Sequence, residues 1–316
     1  MSGNSHPDQH PADAAGIAAA AAVLRRGGLV AVPTETVYGL AARADSVAAV
    51  AAIYRAKGRP DFNPLIVHVP DVAAAARLAR FDARALRLAQ AFWPGPLTMV
   101  LPRRADAPLA AAVTAGLPTV AIRCPAHPAM RALLAEAGLP LAAPSANCSG
   151  GVSPTCAAHV AASLGANVDL ILDGGACAAG IESTIVALRE GGGWQVLRPG
   201  PITAADIAAI LGEAEGAAVA DGAIEAPGQL ASHYAPGKPV RLNAIAAEAD
   251  EFHIGFGAVA GDCSLSAGAD MAEAAARLYA ALHDAAAAAQ PRIAVAPIPD
   301  EGIGAAINDR LRRAAA

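Results

Sequence analysis

The sequence predicts an α/β fold in two parts, and three observations carry that expectation. Short aliphatic and β-branched runs alternate with alanine-rich helical stretches over the first two thirds of the chain, which is the pattern of a sheet interleaved with helices. A length of 316 residues is more than one small core needs and suits a large domain followed by a smaller one. Between residues 212 and 237 the periodicity fades into Gly, Ala, Glu and Asp and ends in Ala226-Pro227-Gly228 and Ala235-Pro236-Gly237, the composition of a linker. The expected divisions are 1–212, 213–239 and 240–316.

The first apolar run, Ala14 to Leu24, reads as a helix. Asp8 and Asp13 precede it where a signal peptide needs positive charge, and Arg25-Arg26-Gly27-Gly28 closes it as a helix C-terminus. Strands are expected at Leu29–Val32, Leu65–Val69, Leu97–Leu101, Thr119–Arg123, Leu139–Ala143, Val168–Leu172, Thr184–Leu188 and Trp194–Leu197. Caps mark the helices between them: Asp45 or Ser46 before Val47–Ala56, Asp82 before Ala83–Phe92, and Thr203 before Ala204–Leu211. Beyond the linker the pattern gives strands near Val240–Leu242, His253–Phe256 and Arg292–Ala296, with helices across Met271–Ala289 and Ile303–Ala314. This resembles a small open α/β unit, which carries no functional information by itself.

Composition removes several classes. Hydrophobic content reaches 55%, but alanine supplies much of it and aromatics only 3%, so no window has the hydropathy of a spanning helix. Five cysteines without a Cys-x-x-Cys pair suit a reducing cytosol better than a disulfide framework or a zinc site. A net charge of −5 without a basic tail argues against holding nucleic acid by bulk phosphate neutralisation. Of 23 basic residues only Lys57 and Lys238 are lysines. In so arginine-rich a chain, each lysine invites its own explanation.

Several segments place polar groups at the ends of strands, where open α/β sheets bind ligands, or at a helix end beside them. Pro33-Thr34-Glu35-Thr36-Val37-Tyr38-Gly39-Leu40 leaves the first strand. Its hydroxyls are suited to a small polar substrate, or they cap backbone in an ordinary strand-to-helix turn. Arg55-Ala56-Lys57-Gly58-Arg59-Pro60 ends a helix with two cations flanking a glycine. They can meet on one anion, or they merely complement the helix dipole. Phe62-Asn63-Pro64-Leu65 then runs into a strand reaching His68, whose direction the alternation leaves open. Arg123 ends an apolar strand, suited to a carboxylate, a phosphate or a structural ion pair. Ala143-Pro144-Ser145-Ala146-Asn147 offers a hydroxyl and an amide, for phosphate, for indirect Mg²⁺ ligation or for an Asx turn. Gly180-Ile181-Glu182-Ser183-Thr184-Ile185-Val186 opens another strand, and Arg198-Pro199-Gly200 ends the next. Walker A, GxGxxG, GxSxG and HExxH patterns are all absent, and His127, His159, His233, His253 and His283 show no ligand spacing.

In this order, PTETVYGL, KGRP, NPLIVHV, TVAIRCP, PSAN and GIESTIV resemble the YrdC-like family of threonylcarbamoyl-AMP synthases, over about Gly27 to Leu211. Ser232-His233-Tyr234-Ala235-Pro236 and the α/β tail resemble its two-domain form. The resemblance implies a YrdC-like twisted open mixed sheet with helices and a small C-terminal Rossmann-like α/β domain. It implies an enzyme that joins L-threonine, bicarbonate and ATP, with Mg²⁺, into threonylcarbamoyl-AMP and pyrophosphate. The adenylate then passes to a downstream threonylcarbamoyl transferase complex for modification of transfer RNA; direct transfer RNA contact stays open, and no membrane is involved.

By matched motif positions, Thr36, His68, Arg123, Ala143 and Ser183 line the threonine site, with Lys57 close by. Arg59, Asn63, Thr119, Ser145, Ser153, Arg198 and Tyr234 hold ATP, with Asn147 at the phosphate end. Lys57 and Arg59 are the implied catalytic pair, and His68, Arg123 and Ser183 read the threonine hydroxyl and carboxylate. Such chemistry needs convergent cations and Mg²⁺ to bring two anions together, and no protein nucleophile, since the substrates supply it. The linker is implied to fold over the cleft as a lid carrying Tyr234, with Gln229 standing where an apolar methionine is expected. Two rivals remain: a related carbamoyl-adenylate enzyme of the same fold, and a non-catalytic RNA-binding module.

Overall fold

Two sheets are built in sequence, and the polar strand ends of the first converge on one cleft. The structure is a computed structural model that describes residues 7–189, 191–216, 225–229 and 233–316. The first part runs β1 (Asp8–Pro11), α1 (Ala14–Arg25), β2 (Val30–Val32), β3 (Gly39–Arg43), α2 (Val47–Lys57), β4 (Ile66–His68), α3 (Val72–Ala76), α4 (Ala83–Phe92) and β5 (Leu97–Pro102). It continues through β6 (Thr119–Arg123), α5 (Pro128–Ala137), β7 (Leu141–Ala142), α6 (Ala157–Leu164), β8 (Leu170–Asp173), β9 (Thr184–Leu188), β10 (Trp194–Arg198) and α7 (Ala204–Leu211). The second part holds β11 (Val240–Arg241), β12 (Glu251–Gly255), β13 (Cys263–Ser264), α8 (Met271–Ala287), β14 (Arg292–Val295) and α9 (Ile303–Ala314).

Ten strands form the first sheet, in the order β1-β8-β2-β3-β7-β4-β6-β5-β9-β10, with parallel and antiparallel pairs mixed. The period of two sorts each strand between two helix layers. Val30, Val32 and Ala41 face the core under α1 and α5, whereas Ala31, Leu40 and Ala42 face the larger core on the opposite side. The second sheet is wholly parallel, β11-β14-β12-β13. Both agree with the expected mixed α/β architecture and its smaller Rossmann-like companion.

Caps set the helix starts. Asp13, Asp82 and the Thr203–Asp206 capping box each satisfy amides of the first turn. Of the two candidates before α2, Ser46 is the cap, because both carboxylate oxygens of Asp45 are taken by Arg43 at 2.7 and 2.8 Å. α8 stops at Ala287, two residues before the expected end, where Lys238 Nζ donates to the carbonyls of Ala285 and Ala288 at 2.9 and 2.6 Å.

One expectation is corrected. The segment after β2 turns back into an antiparallel strand, β3, in place of a strand-to-helix turn. Gly39-Leu40-Ala41-Ala42-Arg43 has little β propensity of its own; burial between two partner strands overrides it. The loop is pinned by bonds from Tyr38 N to Pro154 O and from Leu40 N to Pro144 O, at 2.8 and 2.7 Å. The second of these bonds joins the PTETVYGL and PSAN segments.

The two parts share a core. Val37, Val152 and Ile181 pack with Tyr234 and with residues of α8 and α9. A Cβ on Gly180, which has φ +66°, would lie 2.3 Å from the carbonyl oxygen of Ala276 in α8. His283 of α8 reaches Ser153 O at 3.1 Å and stacks on His159 of α6 with ring centroids 3.8 Å apart.

Gly180→Ala is therefore expected to cost about 2–4 kcal/mol in denaturant unfolding, since backbone cannot yield and the new side chain adds φ strain. The stacked histidines give a pH prediction. Burial and the neighbouring His283 hold His159 down at about 4, and burial also lowers His283. The unfolded chain takes up these protons near pH 6.5, whereas the folded one takes up that of His159 only near 4 and that of His283 at a pH below its ordinary value, so stability falls as pH drops below about 6.5. His68, His127 and His233 act in the same direction. A shallower fall of Tm between pH 6.5 and 4.5 in His159→Asn isolates the pair; an identical slope would contradict it.

Candidate active site

β4 and β6 run parallel with His68 opposite Arg123, so one imidazole and one guanidinium end side by side at the mouth of the sheet. They line a cavity together with Thr36, Arg59, Ala143, Ser145, Ser183, Arg198 and Tyr234. Nine of the fourteen residues named from the sequence thus meet in one cleft. The other five, Lys57, Asn63, Thr119, Asn147 and Ser153, lie outside its lining.

Arg123 is buried and fixed from three sides. Its Nη1 donates to Thr36 Oγ1 at 2.9 Å and its Nε to Gly95 O at 3.2 Å. Nη2 lies 2.6 Å from Glu35 Oε1, an ion pair whose angles fall short of a hydrogen bond. Burial pushes the Glu35 carboxyl up, but the charge of Arg123 and the hydrogen bonds around it outweigh this and leave it below its ordinary value. His68 is wholly buried; desolvation and then Arg123 push it down to about 3, so it is neutral near pH 7, and its Nδ1 has no hydrogen-bond partner. A guanidinium beside a neutral imidazole suits a group with one carboxylate and one hydroxyl.

The two cations around Gly58 separate. Gly58 takes φ +59° at the end of α2, turning the chain sharply. Lys57 Nζ then donates to Ser145 O at 2.5 Å and to Asn147 O, holding the 145–147 loop by its backbone. Arg59 lines the cavity, its Nη2 donating to Pro64 O at 3.0 Å. Lys57 is thus more than a dipole complement, since it binds loop backbone while Arg59 faces the cavity. Burial lowers Lys57 well below its usual value and Arg59 to about 10.

On the far wall, Ser183 Oγ bonds Thr98 Oγ1 at 2.8 Å and accepts from Arg198 Nη2 at 3.1 Å. Ser153 lies behind, its Oγ donating to Glu182 Oε1 at 2.5 Å. Thr119 begins β6 opposite Pro102, at the other end of the strand from Arg123. Asn63 and Asn147 are buried, each with an amide oxygen that has no partner.

Residues 225–229 and 233–239 close over the cleft, with Pro227, Gly228, His233 and Tyr234 in its lining; Ser232 lies outside the described residues. A Cβ on Gly228 would meet Arg198 Cδ at 2.9 Å, so glycine lets the segment lie directly on that arginine. Gln229 needs no apolar packing: its Oε1 accepts from the amides of Glu225 and Ala226 at 2.7 and 2.9 Å and closes the turn.

Sequence reasoning passed over Glu35, Glu182 and His233 as site residues. Glu35 and Glu182 sit inside motifs already quoted, and a carboxylate between small residues at the end of an apolar strand is a signal that a cation lies opposite. No signal in the sequence shows which cation.

An open α/β sheet whose strand ends bring together three arginines, several hydroxyls and a covering segment defines an enzyme class that binds small anionic substrates in a closed cleft. The Sua5, YciO and YrdC family, described as telomere recombination, matches residues 22–200, and the threonylcarbamoyl-AMP synthase C-terminal domain matches residues 202–316. The chain is 42% identical to a threonylcarbamoyl-AMP synthase of Bacillus subtilis, over 95% of this chain and 92% of that protein. It is 38% identical to one of Pyrococcus abyssi, over 93% and 92%. The crystal structure of P. abyssi Sua5 complexed with L-threonine superposes with a TM-score of 0.86 at 34% identity, covering 98% of this chain and 97% of that one. The chain belongs to the threonylcarbamoyl-AMP synthase family, in its two-domain form.

Lys57→Met is expected to free two carbonyls and loosen their loop, giving faster amide hydrogen exchange across residues 145–151. Unchanged exchange there would show that Lys57 does not hold the loop. Glu35→Gln removes the counter-charge of a buried pair and should cost about 3 kcal/mol or more on unfolding, with binding of free L-threonine weakened in calorimetry.

Proposed function

We propose that this chain is an L-threonylcarbamoyladenylate synthase, converting L-threonine, bicarbonate and ATP to threonylcarbamoyl-AMP and pyrophosphate as the first step of threonylcarbamoyladenosine formation in transfer RNA. The convergence of His68 and Arg123, paired across β4 and β6, with Arg59, Tyr234 and the bonded Ser183–Arg198 pair on a single cleft carries this reading. It supports an amino-acid subsite next to a polyanion subsite, the arrangement that adenylation of a carbamate requires.

In this reading Arg123 takes the threonine carboxylate, and neutral His68, with Thr36 and Ser183, reads the hydroxyl and amine. Ala143 leaves room for the methyl group. Arg59, Ser145 and Arg198 hold ATP, with Asn63, Thr119 and Ser153 extending the nucleotide side and Tyr234 closing it. The threonine amine, having lost its proton, takes the carbon of bicarbonate with release of water. The resulting carbamate oxygen displaces pyrophosphate from the α-phosphorus. The arginines lower the repulsion between the two anions, and the closed segment keeps water from the adenylate. Lys57 acts on the site through the 145–147 loop whose carbonyls it binds, without a direct bond to substrate.

Mg²⁺ is read as arriving with ATP. Among the described residues no group of three His, Cys, Asp or Glu could hold a metal, and the buried, unpartnered Asn147 Oδ1 is the oxygen this chain offers near the phosphate loop. Bound there, the ion would screen the phosphates. Residues 1–212 are read as the catalytic domain, 213–239 as the lid and 240–316 as the C-terminal domain. No helix among the described residues is long and apolar enough to cross a membrane. The cytoplasm, with a downstream threonylcarbamoyl transferase consuming the adenylate, is the setting we infer.

Pyrophosphate release is expected to need ATP, L-threonine and bicarbonate together, and to fall at least tenfold when either co-substrate is omitted. Release that ignores both omissions would overturn the reading. L-serine should turn over markedly more slowly than L-threonine, since it lacks the methyl; one buried methyl group is worth roughly 10-fold or more in discrimination.

A further inference from the structure

Arg310, on α9, is among the largest fully buried side chains of the molecule, and no sequence motif singles it out. Its Nε donates to Glu182 Oε2 at 3.1 Å, across the boundary between the two sheets. Nη1 pairs with Asp309 at 3.0 Å, and the guanidinium carbon sits 5.6 Å from the ring centroid of Tyr234. Glu182 lines the cleft and is wholly buried, and Tyr279 of α8 donates to the same Oε2 at 2.7 Å. We propose that Arg310 is a positioning residue that neutralises Glu182, so that the C-terminal region sets the charge of the nucleotide cleft. This rests on the ATP reading given above.

A cleft that takes a triphosphate should not contain a buried carboxylate, because two like charges at low dielectric repel strongly. Glu182 is there, and it is ionised: burial raises it, but Arg310 and Arg198, with the bonds from Ser153 and Tyr279, bring it to about 2. Among these partners Arg198 is the one the nucleotide also needs. With Arg310, Tyr279 and Ser153 filling the oxygens of Glu182, Arg198 stays on Ser183 O and Oγ, at 3.1 Å each, and remains in the cavity wall. Without Arg310, Glu182 would draw Arg198 away from the nucleotide and present an uncompensated charge to the phosphates. The remaining charged and titratable groups around this centre are His233 and Tyr234 on the covering segment, Lys57 and Arg59 near the end of α2, and Asp309 on α9. Asp309 is itself engaged by Arg310. Tyr234 is held in the same cluster, its ring 5.5 Å from that of Tyr279, so the covering segment closes onto the pair that Arg310 completes.

The test uses the full chain and reads KM for ATP against pH, with equilibrium ATP binding alongside. Wild type should show a KM that is nearly flat between pH 6 and 8.5. R310M should raise it about tenfold or more at pH 8.5, with the deficit shrinking toward pH 6 as Glu182 takes up a proton. R310K, which keeps the charge, should recover most of the loss. The double variant R310M/E182Q should fall back to within about threefold of wild type at every pH, because both charges are gone. A purely structural role would leave the double variant as impaired as R310M and its KM insensitive to pH, and that result overturns the proposal. Should R310M not fold, R310Q paired with R310Q/E182Q makes the same comparison. If wild-type pyrophosphate release does not depend on threonine and bicarbonate, the functional reading fails; if it does and R310M binds ATP normally at pH 8.5, only the role of Arg310 fails.

Discussion

Burying a cation inside a protein requires a counter-charge or a set of oxygens, and in this fold the supply of partners to buried cations decides where everything else goes. Arg123 reaches the cleft because Glu35 balances it from the neighbouring loop at 2.6 Å. That loop keeps its shape because it returns as β3 and is tied to the 144–154 segment. Arg310 and Glu182 repeat the solution at the junction of the two sheets. In both cases an arginine on one element fixes a carboxylate on another, and the cleft is the space between the two pairs.

The two lysines follow a different rule that their scarcity hints at. Lys57 donates to the carbonyls of Ser145 and Asn147, and Lys238 to those of Ala285 and Ala288. Each ammonium therefore binds two backbone oxygens from one loop or helix end. A compact charge with three rotatable donors fits between two carbonyls, whereas a planar guanidinium would need a flat, wider arrangement of acceptors. The retention of lysine at these two positions follows from the geometry of the acceptors.

Elements that carry a local signal were legible in the sequence, such as β6, β9, α4, α7 and α9, whose apolar runs and caps match their spans. β3 was not, because its Gly-Leu-Ala-Ala-Arg sequence becomes a strand only through its neighbours. β1 owes its existence likewise to pairing with β8. Within the site, the motif residues were legible as types but not in their directions. His68, Arg123 and Ser183 face the cavity, while Lys57 and Ser153, equally prominent in the sequence, turn to a loop and to Glu182. Direction depends on long-range register, such as His68 opposite Arg123, and a single sequence holds no record of that pairing.

The covering segment shows why a second sheet accompanies the first. A short stretch rich in Gly, Ala and Pro has too little apolar surface to hold itself over a cleft. Here its described parts are anchored on the first sheet: Arg189 Nη2 donates to Glu225 Oε1 at 3.0 Å, and Ala235 N bonds Gly150 O at 2.8 Å. Between those anchors, Tyr234 adopts φ +63° and is buried against Tyr279 and Arg310, which belong to α8 and α9. A left-handed conformation in a bulky residue persists only where the surroundings over-determine it. The second sheet supplies those surroundings, since its two helices present the ring and the guanidinium that hold Tyr234 in place. Closure of the cleft is thus a property of the packing between the two sheets, and residues 225–229 and 233–239 are held by what lies on either side of them.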